Sequence, residues 1–307
     1  MKKRSLVLGS ILLAALSLQT FAKTTVTPFA EVESYTFDNK SDQKQDDVIF
    51  GVAVTQSLTD TASLSIEAKT YDYDYIGDNE DTGANPSSKD RLVIYLNNQV
   101  YKNPKGAIAN VAVGIQKDTA IVTTTGTSKA ISYRVKPTGT LPLTKTLAIT
   151  GDWLFTKDKT DKVASGAGTI GDYFYTNELL TGIKYTGITN WTLQAQHYNY
   201  LKKDLDNPST SDYKESVNQL RLSASTKVAG ITITPNLRFD LGKYQFENSV
   251  GKDSTQEYSR KRYGVDLSKS INNVTYGTSL FIEPREFNDS LKDYTYKYAK
   301  ISATYTF

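Results

Sequence analysis

Alternation of apolar and polar residues, in segments about ten residues long, constrains this chain more than any other feature. Val48, Phe50, Val52 and Val54 share one face of such a segment. Leu92, Ile94 and Leu96 alternate with Val93, Tyr95 and Asn97, and Ala109, Val111, Val113 and Ile115 alternate with Asn110, Ala112, Gly114 and Gln116. Ile231, Ile233, Pro235, Leu237 and Phe239 alternate with Thr232, Thr234, Asn236, Arg238 and Asp240. Successive side chains of a strand point to opposite faces, so each segment reads as a strand with one apolar and one polar side. A soluble β-sandwich alternates in the same way, and the period alone leaves both architectures open.

The links between segments separate them. Strands are expected near 25–36, 47–58, 62–75, 90–101, 107–117, 129–140, 146–157, 170–186, 190–201, 213–227, 231–245, 257–269, 273–286 and 293–307. Links after even-numbered segments are short: 59–61, 102–106, 141–145, 186–189, 228–230 and 270–272. Links after odd-numbered segments are longer and polar, as at 76–89, 158–169, 202–212 and 246–256. A sandwich has no reason to sort its links by parity, whereas bacterial membrane barrels have short periplasmic turns and long extracellular loops. The expected fold is therefore all-β: a transmembrane antiparallel β-barrel of 14 strands formed by residues 23–307.

Residues 1–22 read as a secretory signal, with Lys2, Lys3 and Arg4 ahead of an apolar stretch over 6–18 and Thr20-Phe21-Ala22 at the cleavage point. That stretch is too short to span a bilayer as a helix. Export and a barrel together place the chain in the bacterial outer membrane, among its lipid and lipopolysaccharide. The same three basic residues account for the excess of 36 Lys and Arg over 33 Asp and Glu. The remainder is balanced, which excludes the net basic surface of a nucleic-acid binder. With no cysteine, a disulfide framework and a thiolate metal site are both excluded.

The chain ends on one apolar face made of Ala299, Ile301, Ala303, Tyr305 and Phe307. Such an ending resembles the signal that the outer-membrane barrel insertion machinery reads, and Tyr305 and Phe307 are its expected elements. Tyrosine is frequent, with 21 residues against one Met and one His. Tyr71, Tyr73, Tyr75, Tyr173, Tyr175, Tyr294 and Tyr296 lie near strand ends and suit an interfacial girdle.

The polar face carries the candidate functional residues. Acidic side chains on it are Glu31, Glu33, Glu67, Asp152 and Glu178; basic ones are Lys69, Arg91, Arg134, Lys136, Lys184, Arg221, Arg238, Arg262 and Lys300. A charge facing lipid at the bilayer midplane costs about 2–4 kcal/mol, so these residues are expected to line the inside. So many charges need water, and a barrel of this strand number is wide enough to hold it. Acids concentrate on the first and third strands and arginines on the fourth, sixth and tenth to twelfth. Two compatible readings follow: opposed walls that set up a transverse field, or cross-strand pairs that merely solvate the interior.

Other motifs fail on context. Gly166-Ala167-Gly168-Thr169-Ile170-Gly171 matches a dinucleotide fingerprint but runs into a tyrosine-rich strand, with no helix to receive a pyrophosphate. Asp78, Glu80 and Asp81 lack the regular ligand ladder of a calcium loop. His197, the single histidine, shares a face with Trp191, Leu193 and Ala195, which points it outward near the outer rim, away from any catalytic role. No metal and no cofactor are expected.

The strand pattern resembles the outer-membrane protein G family of monomeric porins over essentially residues 23–307. Ile231-Thr-Ile-Thr-Pro-Asn-Leu-Arg-Phe-Asp-Leu241 resembles that family's eleventh strand, and 258–266 with 299–307 resemble its closing strands. Val135-Lys136-Pro137 followed by 147–155, with Asp152-Trp153, resembles its central hairpin. Glu31 and Glu33 match a pair of inward acids on its first strand, and Arg134, Arg221, Arg238 and Arg262 fall where it places a basic wall. The resemblance implies a monomeric, nonspecific pore for sugars and other small hydrophilic solutes. A pore selective for acidic oligosaccharides, with those four arginines as a track, is the alternative; a surface adhesin displaying loops 76–89 and 158–169 is a third. In a well-known member of that family a histidine pair on neighbouring strands couples pH to loop closure, and segments 257–269 and 273–286 here contain no histidine. Single-channel recording from pH 5 to 7.5, the range where an ordinary imidazole titrates, is therefore expected to show no steep closure.

Overall fold

Inside a bilayer every backbone N–H and C=O needs a partner within the protein, and this chain supplies them by closing one sheet on itself. The computed structural model describes residues 23–38, 44–76, 86–122, 126–164, 167–204, 214–242, 244–248, 254–288 and 293–307. The strands are β1 (Thr24–Phe37), β2 (Lys44–Ser57), β3 (Ala62–Ile76), β4 (Pro86–Lys102), β5 (Ile108–Val122), β6 (Gly126–Pro142), β7 (Leu147–Ala164) and β8 (Ala167–Tyr185). They continue as β9 (Trp191–Asp204), β10 (Lys214–Val228), β11 (Ile231–Asp240), β12 (Tyr244–Asn248), β13 (Ser254–Ile271), β14 (Val274–Phe287) and β15 (Tyr294–Thr306). All pair antiparallel with their neighbours, and β15 returns to β1 from Thr25↔Thr306 to Phe37↔Tyr294. Among the described residues there is no helix.

β11 and β12 are two parts of one crossing strand, because both pair with β10 on one side and β13 on the other. Fourteen strands thus close the barrel, and the eleventh, expected as one run over 231–245, is interrupted after Asp240. The link expected over 158–169 is also different. β7 runs to Ala164 and β8 begins at Ala167, with Lys159↔Tyr173 and Asp161↔Gly171 in the ladder. Polar residues there mark where the wall leaves the hydrocarbon rather than where the strand ends. Residues 167–171 of the dinucleotide-like motif are accordingly strand. Residues 1–22, the acids Asp78, Glu80 and Asp81, Gly166, most of links 76–89 and 202–212, and residues 249–253 of link 246–256 lie outside the described residues.

The tight turns gather at one end. They occupy 58–61, 103–107, 143–146, 186–190, 229–230 and 272–273. Thr59 Oγ1 accepts from Ala62 N at 2.9 Å, and Thr144 Oγ1 accepts from Leu147 N at 3.0 Å, so two turns close in the same way. Ala229 (φ 49°) and Gly230 (φ 80°) are both left-handed, the requirement of a type I′ two-residue hairpin. Alanine pays a steric cost there that Asn or Gly largely avoids.

Parity sorts the two faces. Val48, Phe50, Ile94, Leu96, Val113, Ile115 and Ile301 are exposed on the outside, where lipid lies. Val26, Val52, Val54 and Ala68, with Leu92, pack together on that outward face of β1–β4. Tyr101, Tyr185, Trp191, Tyr305 and Phe307 are exposed near the short-turn end and form the aromatic belt there. Tyr71, Tyr73, Tyr294 and Tyr296 do not join a girdle: they share faces with Lys69, Arg91, Arg285 and Lys300 and point inward. Tyr175 does face outward, opposite Lys157 and Lys203. The side chains of Tyr75 and Tyr173 lie outside the described residues. On the inner face, the Phe29 ring lies so close over Gly51 that a Cβ at residue 51 would stand 2.1 Å from it.

Replacing Ala229 with Asn is expected to stabilise the barrel by about 1 kcal/mol through the left-handed turn, read as a higher urea midpoint in lipid vesicles. Ile301→Arg, at a site 63% exposed to lipid, is expected to lower stability by about 2–4 kcal/mol in the same measurement.

Candidate functional site

Charged residues on the inward face are held in clusters that repeat around the wall. On β1, Glu31 is 4% exposed and accepts from Lys300 Nζ at 2.8 Å and Lys69 Nζ at 3.4 Å. Both ammonium groups lie over the Phe29 ring, at 4.1 and 5.1 Å. Glu67 is 3.6 Å from Lys69, so the acids of β1 and β3 are largely neutralised by lysines on their own side. Glu33 accepts from Tyr35 Oη at 3.0 Å.

Further round, Arg91 forks onto Asp118 with two contacts of 2.9 Å, and Gln116 also donates to that carboxylate. A two-point guanidinium–carboxylate contact fixes orientation as well as charge. Lys136 pairs with Asp152 at 2.9 Å. Arg134 donates to Tyr95 Oη at 3.0 Å, and its Nε is buried without a partner. Glu178 accepts from Tyr198 Oη at 3.1 Å, and the ring of Tyr198 carries the guanidinium of Arg221 at 3.6 Å. Arg221 donates to Gln219 Oε1 at 2.9 Å. Lys184 belongs to the same inward row but sits near the short-turn mouth, beside Thr140 and Ala148.

The densest cluster centres on Glu283 of β14, which is 0% exposed. It meets Arg262 at 2.5 Å, Arg285 at 2.8 Å and Arg260 at 3.8 Å. Arg262 also lies over Phe281 at 3.7 Å, and Arg285 donates to Tyr294 Oη at 2.6 Å. Register places Arg221, Arg238 and Arg262 directly opposite one another on β10, β11 and β13. Like charges in that arrangement repel. Glu283 relieves Arg262, but neither Arg221 nor Arg238 has a carboxylate partner among the described residues. Arg238 opens on a concavity that Glu31, Glu33 and Lys69 also line.

Reading the sequence missed Glu283, Arg260, Arg285 and Asp118. Parity could have found the first three. Glu283 and Arg285 alternate with the apolar Ile282 and Pro284, and Arg260 precedes Arg262 by two. Asp118 lies just past the expected end of the fifth strand at 117, whereas β5 continues to Val122. Lysines on the acidic side make cross-strand pairing the main pattern; among the described residues, Arg134, Arg221, Arg238 and Lys184 keep their charge without a carboxylate, and Glu33, Asp47 and Glu178 are met by neutral donors. His197 faces outward, yet at mid-strand between Thr181 and Leu220 rather than near the rim. Tyr305 and Phe307 are outward-facing with ring centroids 4.4 Å apart, and Phe307 N donates to Thr24 O at 3.0 Å.

No protein-family model and no curated protein sequence matches the chain. Among solved structures it is similar to the Pseudomonas putida toluene transporter TodX, with a TM-score of 0.47 and 8% identity over 95% of this chain and 90% of that one. It is also similar to a loop-deletion mutant of OmpT, an outer membrane protein of Vibrio cholerae (TM-score 0.42, 10% identity, 94% and 100% covered). The KdgM porin gives a TM-score of 0.35 at 10% identity, with 92% and 99% covered. The closed ladder, the apolar exterior and the charged interior define the class directly: a transmembrane β-barrel of the bacterial outer membrane.

Removing a buried acid from among three arginines leaves their charges uncompensated. Glu283→Gln is therefore expected to destabilise the barrel by about 3–5 kcal/mol, seen as a lowered unfolding midpoint in vesicles.

Proposed function

We propose that this chain is a monomeric, water-filled pore for passive diffusion of small hydrophilic solutes, such as sugars, ions and amino acids, akin to the outer-membrane protein G family. One observation carries the reading: ionised clusters line the inward face through the whole circumference, from Glu31 on β1 and Arg91 on β4 to Asp152 on β7 and Glu283 on β14. Side chains reaching in from fourteen strands do not fill so wide a barrel, and ionised groups in an unfilled space require water. The clusters are mutually compensated, which favours tolerance of neutral solutes over tight binding of one. No imidazole base stands among them, since His197 faces lipid, and an enzymatic role has no support from the interior.

A second reading has its own support. Arg134, Arg221 and Arg238 keep their charge without a carboxylate, on walls that also present Tyr95 and Tyr198. Acidic oligosaccharides are the solutes such groups would favour. Arg262 does not contribute, because Glu283 engages it.

Refolded protein in a planar bilayer is expected to show stepwise open-pore current at neutral pH, and vesicles carrying it to swell in neutral sugars; a barrel without current would defeat the pore. Replacing Arg221 and Arg238 with Ser tests the second reading. A unit charge about 10 Å from an ion across water contributes about 0.4 kcal/mol, roughly a factor of two in local concentration. The double variant is thus expected to lose roughly two- to fourfold in anion-over-cation permeability at low salt, measured as a shift in reversal potential. Micromolar block by charged oligosaccharides, lost in that variant, would favour selectivity over general diffusion.

A further inference from the structure

The outward face carries a feature that a pore does not use. Toward the long-link end of the apolar belt, five of the six strands β5–β10 present an outward lysine. Lys117 follows Ile115 on β5, Lys129 precedes Ile131 on β6, Lys157 follows Phe155 on β7, Lys203 follows Leu201 on β9, and Lys214 heads β10. All five are exposed. Among the described residues none of them makes an ion pair or hydrogen bond. Their cross-strand partners are largely apolar, aromatic or basic: Lys117 lies opposite Leu92 and Ile131, Lys157 opposite Tyr133 and Tyr175, and Lys203 opposite Tyr175 and Lys214. Asp161 and Glu247 are the acids in register, opposite Lys129 and Lys214.

The same edge has the opposite sign on β2–β4. Asp46, Asp72 and Asp90 face outward there, Asp46 paired with Lys44 and Asp90 accepting from Thr70. The rim is therefore polarised, basic over β5–β10 and acidic over β2–β4.

We propose that the lysine arc over β5–β10 is a docking surface for the phosphorylated sugar heads of the glycolipid in the outer leaflet. Height, direction and charge support that occupant. The ammonium groups stand at the junction of apolar belt and polar rim, where lipid phosphates lie, and long lysine stems reach sideways along the wall while the heads stay wet. Tyr133 and Tyr175 supply the aromatic part of the same interface. Soluble ligands approaching the mouth would not select side chains that point into the membrane plane. The inference rests on the long-link end facing outward and is independent of what passes through the interior.

The test uses full-length barrel refolded into vesicles of phosphatidylcholine alone, with phosphatidylglycerol, or with bisphosphorylated lipid A. Wild-type protein is expected to retain lipid A through purification and to show its highest urea midpoint in the lipid A vesicles, both effects shrinking at high salt. Each Lys→Gln change among Lys117, Lys157, Lys203 and Lys214 is expected to weaken lipid A retention roughly fivefold. The matching Lys→Arg variants should keep it, which guards against loss through misfolding. Single-channel conductance should be the same in all of these variants, so failure here and failure of the pore are read separately. Equal retention by wild type and Lys→Gln variants, or no preference of wild type for lipid A over phosphatidylcholine, would overturn the proposal. An equal response to phosphatidylglycerol would overturn the glycolipid assignment.

Discussion

Hydrocarbon offers no hydrogen-bond partner, and the ladder between β1 and β15 is the contact on which the rest of this molecule depends. Without it, two strand edges would stand open in lipid. With it, every crossing strand has two neighbours, and the chain acquires an inside and an outside that alternate residue by residue. One register step in any strand would turn its charges to lipid and its valines to water. The apolar exterior, the charged interior and the position of every candidate residue follow from that single closure.

Once charges are turned inward, their arrangement is governed by local compensation. Glu31 sits between Lys69 and Lys300, Asp118 takes both arms of Arg91, and Glu283 gathers three arginines. Aromatic rings extend this pattern: Phe29, Tyr198 and Phe281 each lie under a cation. A guanidinium held on a ring face keeps its charge available to water while losing freedom of movement. The interior is thus both charged and ordered. That combination suits a passage whose walls must not collapse inward when a solute leaves.

The barrel was legible because two physical periods are written into the chain: side-chain alternation within strands and the alternation of link lengths between them. The inward set was legible for the same reason, as with Glu31, Arg238 and Lys300, whose neighbours two residues away share their face. Failure came where polarity was used as a proxy for strand ends. β7 and β8 continue past the lipid as a hydrated ladder, and β5 runs five residues beyond its expected end at 117, which brings Asp118 into the wall. Tyr71 and Tyr296 suit a girdle by residue type, but parity turns both inward. Pairing could not be read at all. Which lysine meets Glu31 depends on register between strands far apart in sequence, as the 269-residue separation from Lys300 shows.

Strand lengths also shape the mouth. β7 and β8 have 18 and 19 residues, while β1, β2 and β15 have 14, 14 and 13. In a ring of fourteen, β8 stands diametrically across from β1. Four extra residues add roughly 13 Å along the strand direction before tilt. The wall built from the described strands is therefore uneven: it stands high at β7–β8, rises again at β13 with 18 residues, and is low at β1. Charges of both signs stand at that low lip: Glu33 faces Asp47 across β1 and β2, and Arg285 of β14 lies further out, level with Tyr294 and Phe37.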